Sequence, residues 1–256
     1  MNQPTSAATP QTYDLDALRH GARSVRHPLT RALLALTFTT GLVDAVSYLG
    51  LGRVFTANMT GNVVLLGFGI AGSGGLPVLA PIISLIAFLI GAVVGGVLAK
   101  RLLDRHPEHL GAALGVEVSL VVLAAIIVGA VTIHHRAFSG YLLIALLALA
   151  MGVRNATIRR IGVPDLTTTV LTGTLTALAA DSPLTGGTGR GLTRRGATIL
   201  AMLVGAIVGA LLVKTSLVLP LVAAAGLALV TWLVYVPAAR REIRAEHGRD
   251  AATPTR

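Results

Sequence analysis

A chain that repeats its own motifs in order must fold as two related halves, and this chain does so. Gly41-Leu-Val-Asp44-Ala45 returns as Gly152-Val-Arg-Asn155-Ala156, and Thr60-Gly61-Asn62 returns as Thr172-Gly173-Thr174. The apolar run Ala87–Lys100 returns as Ala201–Lys214 with eight of fourteen positions identical. The offsets are 111, 112 and 114 residues, so the register drifts by only three across the repeat. Apolar residues recur cheaply, but glycines, lysines and Thr-Gly pairs in common order do not. Two copies of one half in an apolar chain are the mark of a transporter or channel built by duplication.

Composition sets the solvent. Hydrophobic residues make up 54% of the 256 and charged residues 12%, about half the charged share of a soluble domain. Mean hydropathy is +0.77. Apolar stretches near 20 residues recur, long enough to cross a hydrocarbon core of ~30 Å. The chain therefore reads as an all-α integral membrane protein. The net charge of +10 sits largely at the ends of apolar runs, where it sets orientation and meets anionic lipid headgroups at the cytoplasmic face. With one Trp and 4% aromatic residues there are no stacking platforms, and nucleic acid is not an expected partner. The absence of Cys rules out disulfides and thiolate metal sites.

Eight apolar segments can be drawn, at about 30–51, 54–71, 78–99, 111–133, 137–158, 166–180, 196–213 and 217–237. Residues 1–29 read as a disordered cytoplasmic tail without the apolar core of a signal peptide. Residues 30–133 form the first membrane repeat, 137–237 the second, and 238–256 a cytoplasmic C-terminal tail. The second and sixth segments are rich in Thr, Asn and Gly and contain the repeated Thr-Gly pair. If all eight segments crossed, Arg53, Lys100, Arg101, Arg105, Arg154, Arg159, Arg160 and Lys214 would all lie outside. If the second and sixth instead enter and leave by one face, only Arg53, Arg136 and Lys214 lie outside, and 18 of the 21 basic residues lie inside. The Lys/Arg bias favours the second arrangement. Each half then has three full spans plus one partial, re-entrant or broken segment. Three is odd, so the copies are inverted about an axis in the membrane plane, both termini are cytoplasmic, and the two Thr-Gly turns can approach each other near the midplane.

Asp44 reads as the only acidic residue well inside an apolar run. Such a group needs a partner or a cavity. It suits either a cation or proton site, or an acceptor capping backbone N–H groups where the first span meets the partial segment. Asn155 stands at the matching position, keeping the hydrogen bonding without the charge, which favours the capping role. Arg154, Arg159 and Arg160 read most simply as topology anchors. The substrate path or binding residues expected from these patterns are Asp44, Thr56, Asn58, Thr60, Gly61, Asn62, Asn155, Thr168, Thr172 and Gly173, because hydroxyls and amides concentrated in the partial segments can replace a hydration shell. The pairs Gly91/Gly95 and Gly205/Gly209 place small residues on one helix face and suggest that these two helices cross each other at the axis. His134-His135 and His106-Pro-Glu-His109 lack the spacing of a metal site. Gly186–Gly191 lacks the pattern of a phosphate loop. No catalytic constellation, metal or cofactor is expected.

Gly41-x-x-Asp44-Ala45, Phe55 and Asn58-Met59-Thr60-Gly61-Asn62 resemble the signature of the YoaK-type bacterial membrane proteins, a family of unknown function (domain of unknown function 1275). Gly152-x-x-Asn155-Ala156, Thr168 and Thr172-Gly173 resemble its second region. The similarity covers roughly 30–237 and implies a bacterial inner-membrane protein. Many members carry Gln where this chain has Arg154. The leading expectation is a small-solute or ion transporter or channel of unknown substrate. The alternative is a non-transporting membrane scaffold or complex subunit. A membrane enzyme is the weakest reading.

Overall fold

The computed structural model describes residues 27–103, 110–134, 137–161, 171–189 and 191–252. Among them the regular structure is entirely helical. The helices are α1 (Pro28–Gly50), α2 (Met59–Ile70), α3 (Leu79–Leu103), α4 (Leu110–Ala130), α5 (Phe138–Ile161), α6 (Leu171–Ala180), α7 (Leu192–Val213) and α8 (Val218–Ala252). A single 3-10 turn follows each short helix, at Ser73–Gly75 after α2 and at Pro183–Thr185 after α6.

Long apolar runs form helices in a bilayer because the backbone must satisfy its own polar groups there. Four helices, spanning Pro28–Gly50, Leu79–Arg101, Phe138–Arg160 and Leu192–Val213, are long and apolar enough to cross a membrane. Leu114–Ala130 of α4 and Val218–Val234 of α8 are shorter apolar stretches. The second and sixth apolar segments yield helices of only twelve and ten residues, far below the ~20 needed to span. Helix α8 runs on through Pro237 to Ala252, past the boundary at which the composition turns polar.

Helices α1 and α5 occupy the centre. Leu42 and Val46 of α1 and Leu143, Leu147 and Met151 of α5 share one buried cluster with Val121 and Ala124 of α4 and Leu221 and Ala224 of α8. Helices α3 and α7 lie at the edge of that core, touching it through residues such as Ala80 and Phe88 of α3 and Val208 and Leu212 of α7. Leu89 and Val93 of α3 and Leu203 and Ile207 of α7 are exposed, as side chains facing lipid would be.

The outer helices attach through their glycines. A methyl group on Gly91 of α3 would overlap the carbonyl of Leu149 on α5, and one on Gly205 of α7 would overlap the carbonyl of Phe38 on α1. These are one contact made twice, since 91 corresponds to 205 and 38 to 149 in the sequence repeat. The glycine pairs therefore do not bring α3 and α7 together. Each glycine helix instead packs on the first helix of the other half, because the close approach needs a facing backbone, and Gly152 and Gly41 supply it. Gly152 meets the carbonyl of Phe88, and Gly41 that of Met202.

The contacts also fix direction. Gly91 faces Leu149 and Gly95 faces Val153, so α3 and α5 run parallel; Gly205 by Phe38 and Gly209 by Leu42 make α7 and α1 parallel. Trp232 donates its indole N–H to the Gly111 carbonyl, while Ala228 packs with Val118 and Leu36. Helix α8 is therefore antiparallel to α4. Gly50 against Leu217 makes α8 antiparallel to α1 as well. Helices α1, α4 and α7 thus point one way, and α3, α5 and α8 the other.

Candidate functional site

Among the described residues, two polar constellations involve the central helices α1 and α5. The first is the hinge between α1 and α2. Asp44 is buried six residues before the end of α1, and its Oδ1 accepts the N–H groups of Thr56 at 3.1 Å and Ala57 at 2.9 Å. Asn62, buried on α2, clamps Phe55 from both sides: its Oδ1 accepts the Phe55 N–H at 2.9 Å, and its Nδ2 donates to the Phe55 carbonyl at 2.7 Å. Ser84 of α3 donates to the same carbonyl at 2.7 Å and accepts from Asn62 at 3.1 Å. Asn58 caps α2 by accepting the Gly61 N–H at 3.1 Å. Helix N-termini and loops carry unpaired backbone groups that water would satisfy at a surface. Here carboxylate, amide and hydroxyl side chains take its place.

The second constellation ties three helices together about two turns from their other ends. Arg154 of α5 and Glu117 of α4 are both fully buried and form an ion pair through Nη2 and Oε1. Arg154 Nη1 donates to the Leu36 carbonyl at 2.8 Å and to Thr40 Oγ1 at 2.9 Å, both on α1. Thr39 and Thr40 also donate to that carbonyl. Glu117 Oε2 and Arg154 Nε have no hydrogen-bond partner. A buried ion pair is costly unless its remaining donors and acceptors are met, and this one keeps one acceptor and one donor unmet. Glu117 and Arg154 each stand seven residues from the end of their helix, about 10 Å in at 1.5 Å per residue.

The structure gathers Asp44, Asn58, Gly61 and Asn62 into the hinge, with Gly61 against the Phe55 ring. Thr56 is buried there with its hydroxyl unpartnered. Thr60 is exposed. On the second half, Asn155 donates to the Met151 carbonyl at 2.8 Å, and Thr172 and Gly173 are exposed on α6. Thr168 lies outside the described residues. Helix α2 packs on α3 and α6 on α7, each within its own half, and the two short helices form no interface with each other among the described residues. The two Thr-Gly turns therefore do not meet. Among the described residues no group of three or more His, Asp or Glu side chains is placed to hold a metal ion.

An apolar helical bundle with glycine-mediated crossings and buried charge is a membrane architecture, and the comparisons with known proteins agree. The family described as "Protein of unknown function (DUF1275)" matches residues 32–234. The chain belongs to the DUF1275 family. A curated relative, the UPF0700 transmembrane protein YoaK of Bacillus subtilis (strain 168), is 34% identical over 151 residues, covering 58% of this chain and 65% of the relative. No solved structure matches. This DUF1275 member is a multi-pass membrane protein embedded in the lipid bilayer.

Sequence reasoning passed over Glu117. It stands near the start of the fourth apolar segment, and an acidic residue so placed passes for one at a membrane surface. Its signal was available as a lone carboxylate inside an apolar run with basic Arg154 inside another. Arg154 was read with Arg159 and Arg160 as an anchor. Those two are exposed, whereas Arg154 lies one to two turns deeper and faces the core.

Proposed function

We propose that this protein is a small-solute or ion transporter or channel of the bacterial inner membrane, with its moving parts arranged as inverted repeats. The observation that carries the reading is the buried Glu117–Arg154 pair, which joins the first half (α1 and α4) to the second (α5) and keeps an unpartnered acceptor and donor. Ionisable groups inside a membrane are costly and mark solute, ion or proton pathways by default. A pair between two halves breaks and re-forms when one half rocks against the other, which is the motion of alternating access.

The helix directions support the inverted arrangement. Helices α1 and α3 point oppositely, so residues 51–78 begin and end at one end of the bundle. Helices α5 and α7 do the same at the other end. That pattern suits re-entrant segments, and the lysine- and arginine-rich ends of α3 and α5 lie at one end of the bundle, which supports a reading with that end cytoplasmic, facing anionic lipids, and both termini inside.

A scaffold or complex subunit is the second reading. It is favoured by the hinge, where Asp44, Asn58 and Asn62 are engaged in intramolecular hydrogen bonds. Flux decides between the two. Proteoliposomes containing the protein are expected to release or accumulate small solutes or ions faster than empty vesicles, with Glu117→Gln lowering the rate at least tenfold. Equal rates with and without protein across a broad solute panel sink transport and leave the scaffold. Reporter fusions after residues 75 and 187 test the inversion: the expected signals are outside and inside respectively, and an inside signal at 75 overturns it.

A further inference from the structure

A cleft of about 520 Å³ opens at the end of the bundle where α1 finishes and α3 and α5 begin. Its walls come from the α1–α2 loop at Leu51, Gly52 and Arg53, the glycine turn at Gly74 and Gly75, the first turn of α3, and Tyr141 of α5. The volume falls within the ~300–1,000 Å³ of small-molecule sites. Among the described residues, Arg53 is the only charged one in the wall, and no carboxylate accompanies it there. The first turn of α3 belongs to a helix of 25 residues, whose dipole adds positive potential at that end. Leu51, Leu76 and Val78 supply an apolar surface beside this charge.

The backbone at Arg53 is the unusual part. Arg53 holds φ at 59°, and it is the one non-glycine residue with positive φ among the described residues. Such a conformation is rare outside Gly, Asn and Asp, and it persists only where the surroundings over-determine it. Here they do. The Leu51 N–H donates to the Ser47 carbonyl and the Arg53 N–H to the Tyr48 carbonyl. Asp44 holds Thr56 and Ala57 just beyond, and Phe55 stacks on Tyr48 with ring centroids 4.8 Å apart. The hinge thus fixes the loop that brings Arg53 to the wall of the cleft. Glycine would meet the same backbone requirement without strain, so the arginine contributes its charge.

We propose that this cleft binds a small anion, a carboxylate or phosphate with room for an apolar portion, through Arg53. The inference deepens the proposed function by naming its substrate class, and it rests on that reading only for what happens after binding. The phosphate could belong to a free solute or to a lipid headgroup, and the two are separable.

The test uses full-length protein in nanodiscs of phosphatidylcholine, titrated with inorganic phosphate and with benzoate, and read by calorimetry and thermal shift. At least one of the two is expected to bind saturably. Arg53→Gly, which removes the charge and relaxes the backbone, is expected to weaken binding about tenfold or more while leaving the unliganded Tm equal or higher. Arg53→Lys is expected to lose less. In nanodiscs of phosphatidylglycerol, loss of free-anion binding identifies the lipid headgroup as occupant, and unchanged binding identifies a free solute. No Arg53-dependent binding of either probe in phosphatidylcholine, and no Arg53-dependent preference for phosphatidylglycerol, overturns the proposal. Binding without flux keeps the cleft and sinks transport. Flux with no Arg53-dependent binding sinks the cleft and keeps transport.

Discussion

Asp44 and Glu117 are both carboxylates buried in apolar helices, and the fold uses them differently. Asp44 accepts backbone N–H groups twelve and thirteen residues away in its own half. Its partners are neutral and local, and the loop they hold would otherwise expose unpaired donors. Glu117 faces a guanidinium 37 residues away in the other half, and that guanidinium also reaches across to α1. One carboxylate fastens a hinge and the other ties two halves together. The difference teaches that burial alone does not assign a role to an intramembrane acid. The partner's charge, and the distance along the chain to it, decide.

The largest expected effect tests the tie. Arg154→Met leaves Glu117 unpaired in the interior and is expected to cost about 3–5 kcal/mol. Combining it with Glu117→Leu should recover most of that loss, because apolar replacement of a whole buried pair is roughly neutral or stabilising. Thermal unfolding in a single detergent compares the two. A double variant no more stable than the single one would mean that the pair is not held as two charges.

The hinge should respond to the acceptor rather than to the charge. Asp44→Ala strands two buried N–H groups at ~1–3 kcal/mol each, whereas Asp44→Asn keeps an acceptor and is expected to cost less than about 1 kcal/mol by the same measure. Equal losses in the two variants would make the hinge charge-dependent and erase its contrast with the tie.

The glycine crossings offer a matched pair for comparing the halves. Gly91→Val and Gly205→Val should each cost about 1–3 kcal/mol through overpacking, and by similar amounts, because each meets a facing carbonyl. Gly129, with nothing within 4 Å of an added Cβ, is the control, and Gly129→Val should shift Tm little. A large difference between Gly91 and Gly205 would break the equivalence of the halves.

The smallest effect is the most diagnostic for function. The Thr56 hydroxyl is buried without a partner, so Thr56→Val should be neutral or stabilising by up to about 1 kcal/mol. A destabilised variant, or one that folds normally and loses flux, would place water or a bound solute at that hydroxyl.

Much of this was legible in the residues. The Thr-, Asn- and Gly-rich character of the second and sixth segments, the small-residue faces and the capping capacity of Asp44 all follow from spacing and side-chain chemistry. The partners were not. Gly91 and Gly205 announce a close approach but do not say to what. Arg154 has the same sequence neighbourhood as a surface anchor, and only its helical phase turns it inward. The Thr-Gly pairs suggested two turns meeting, but α2 and α6 each pack on the next helix of their own half.

By itself, the sequence determined a membrane-embedded, all-helical chain whose motifs recur in two halves, each with one Thr- and Gly-rich segment that the placement of Lys and Arg marks as partial. Hydrocarbon solvent forces those conclusions, because run length, backbone satisfaction and the placement of charge leave few alternatives. The tertiary structure decided which helix meets which. It set α3 on α5 and α7 on α1, and it joined Glu117 to Arg154 across the halves. Close packing and pairing of buried charges depend on atoms far apart in the chain, and no local pattern encodes the identity of the partner.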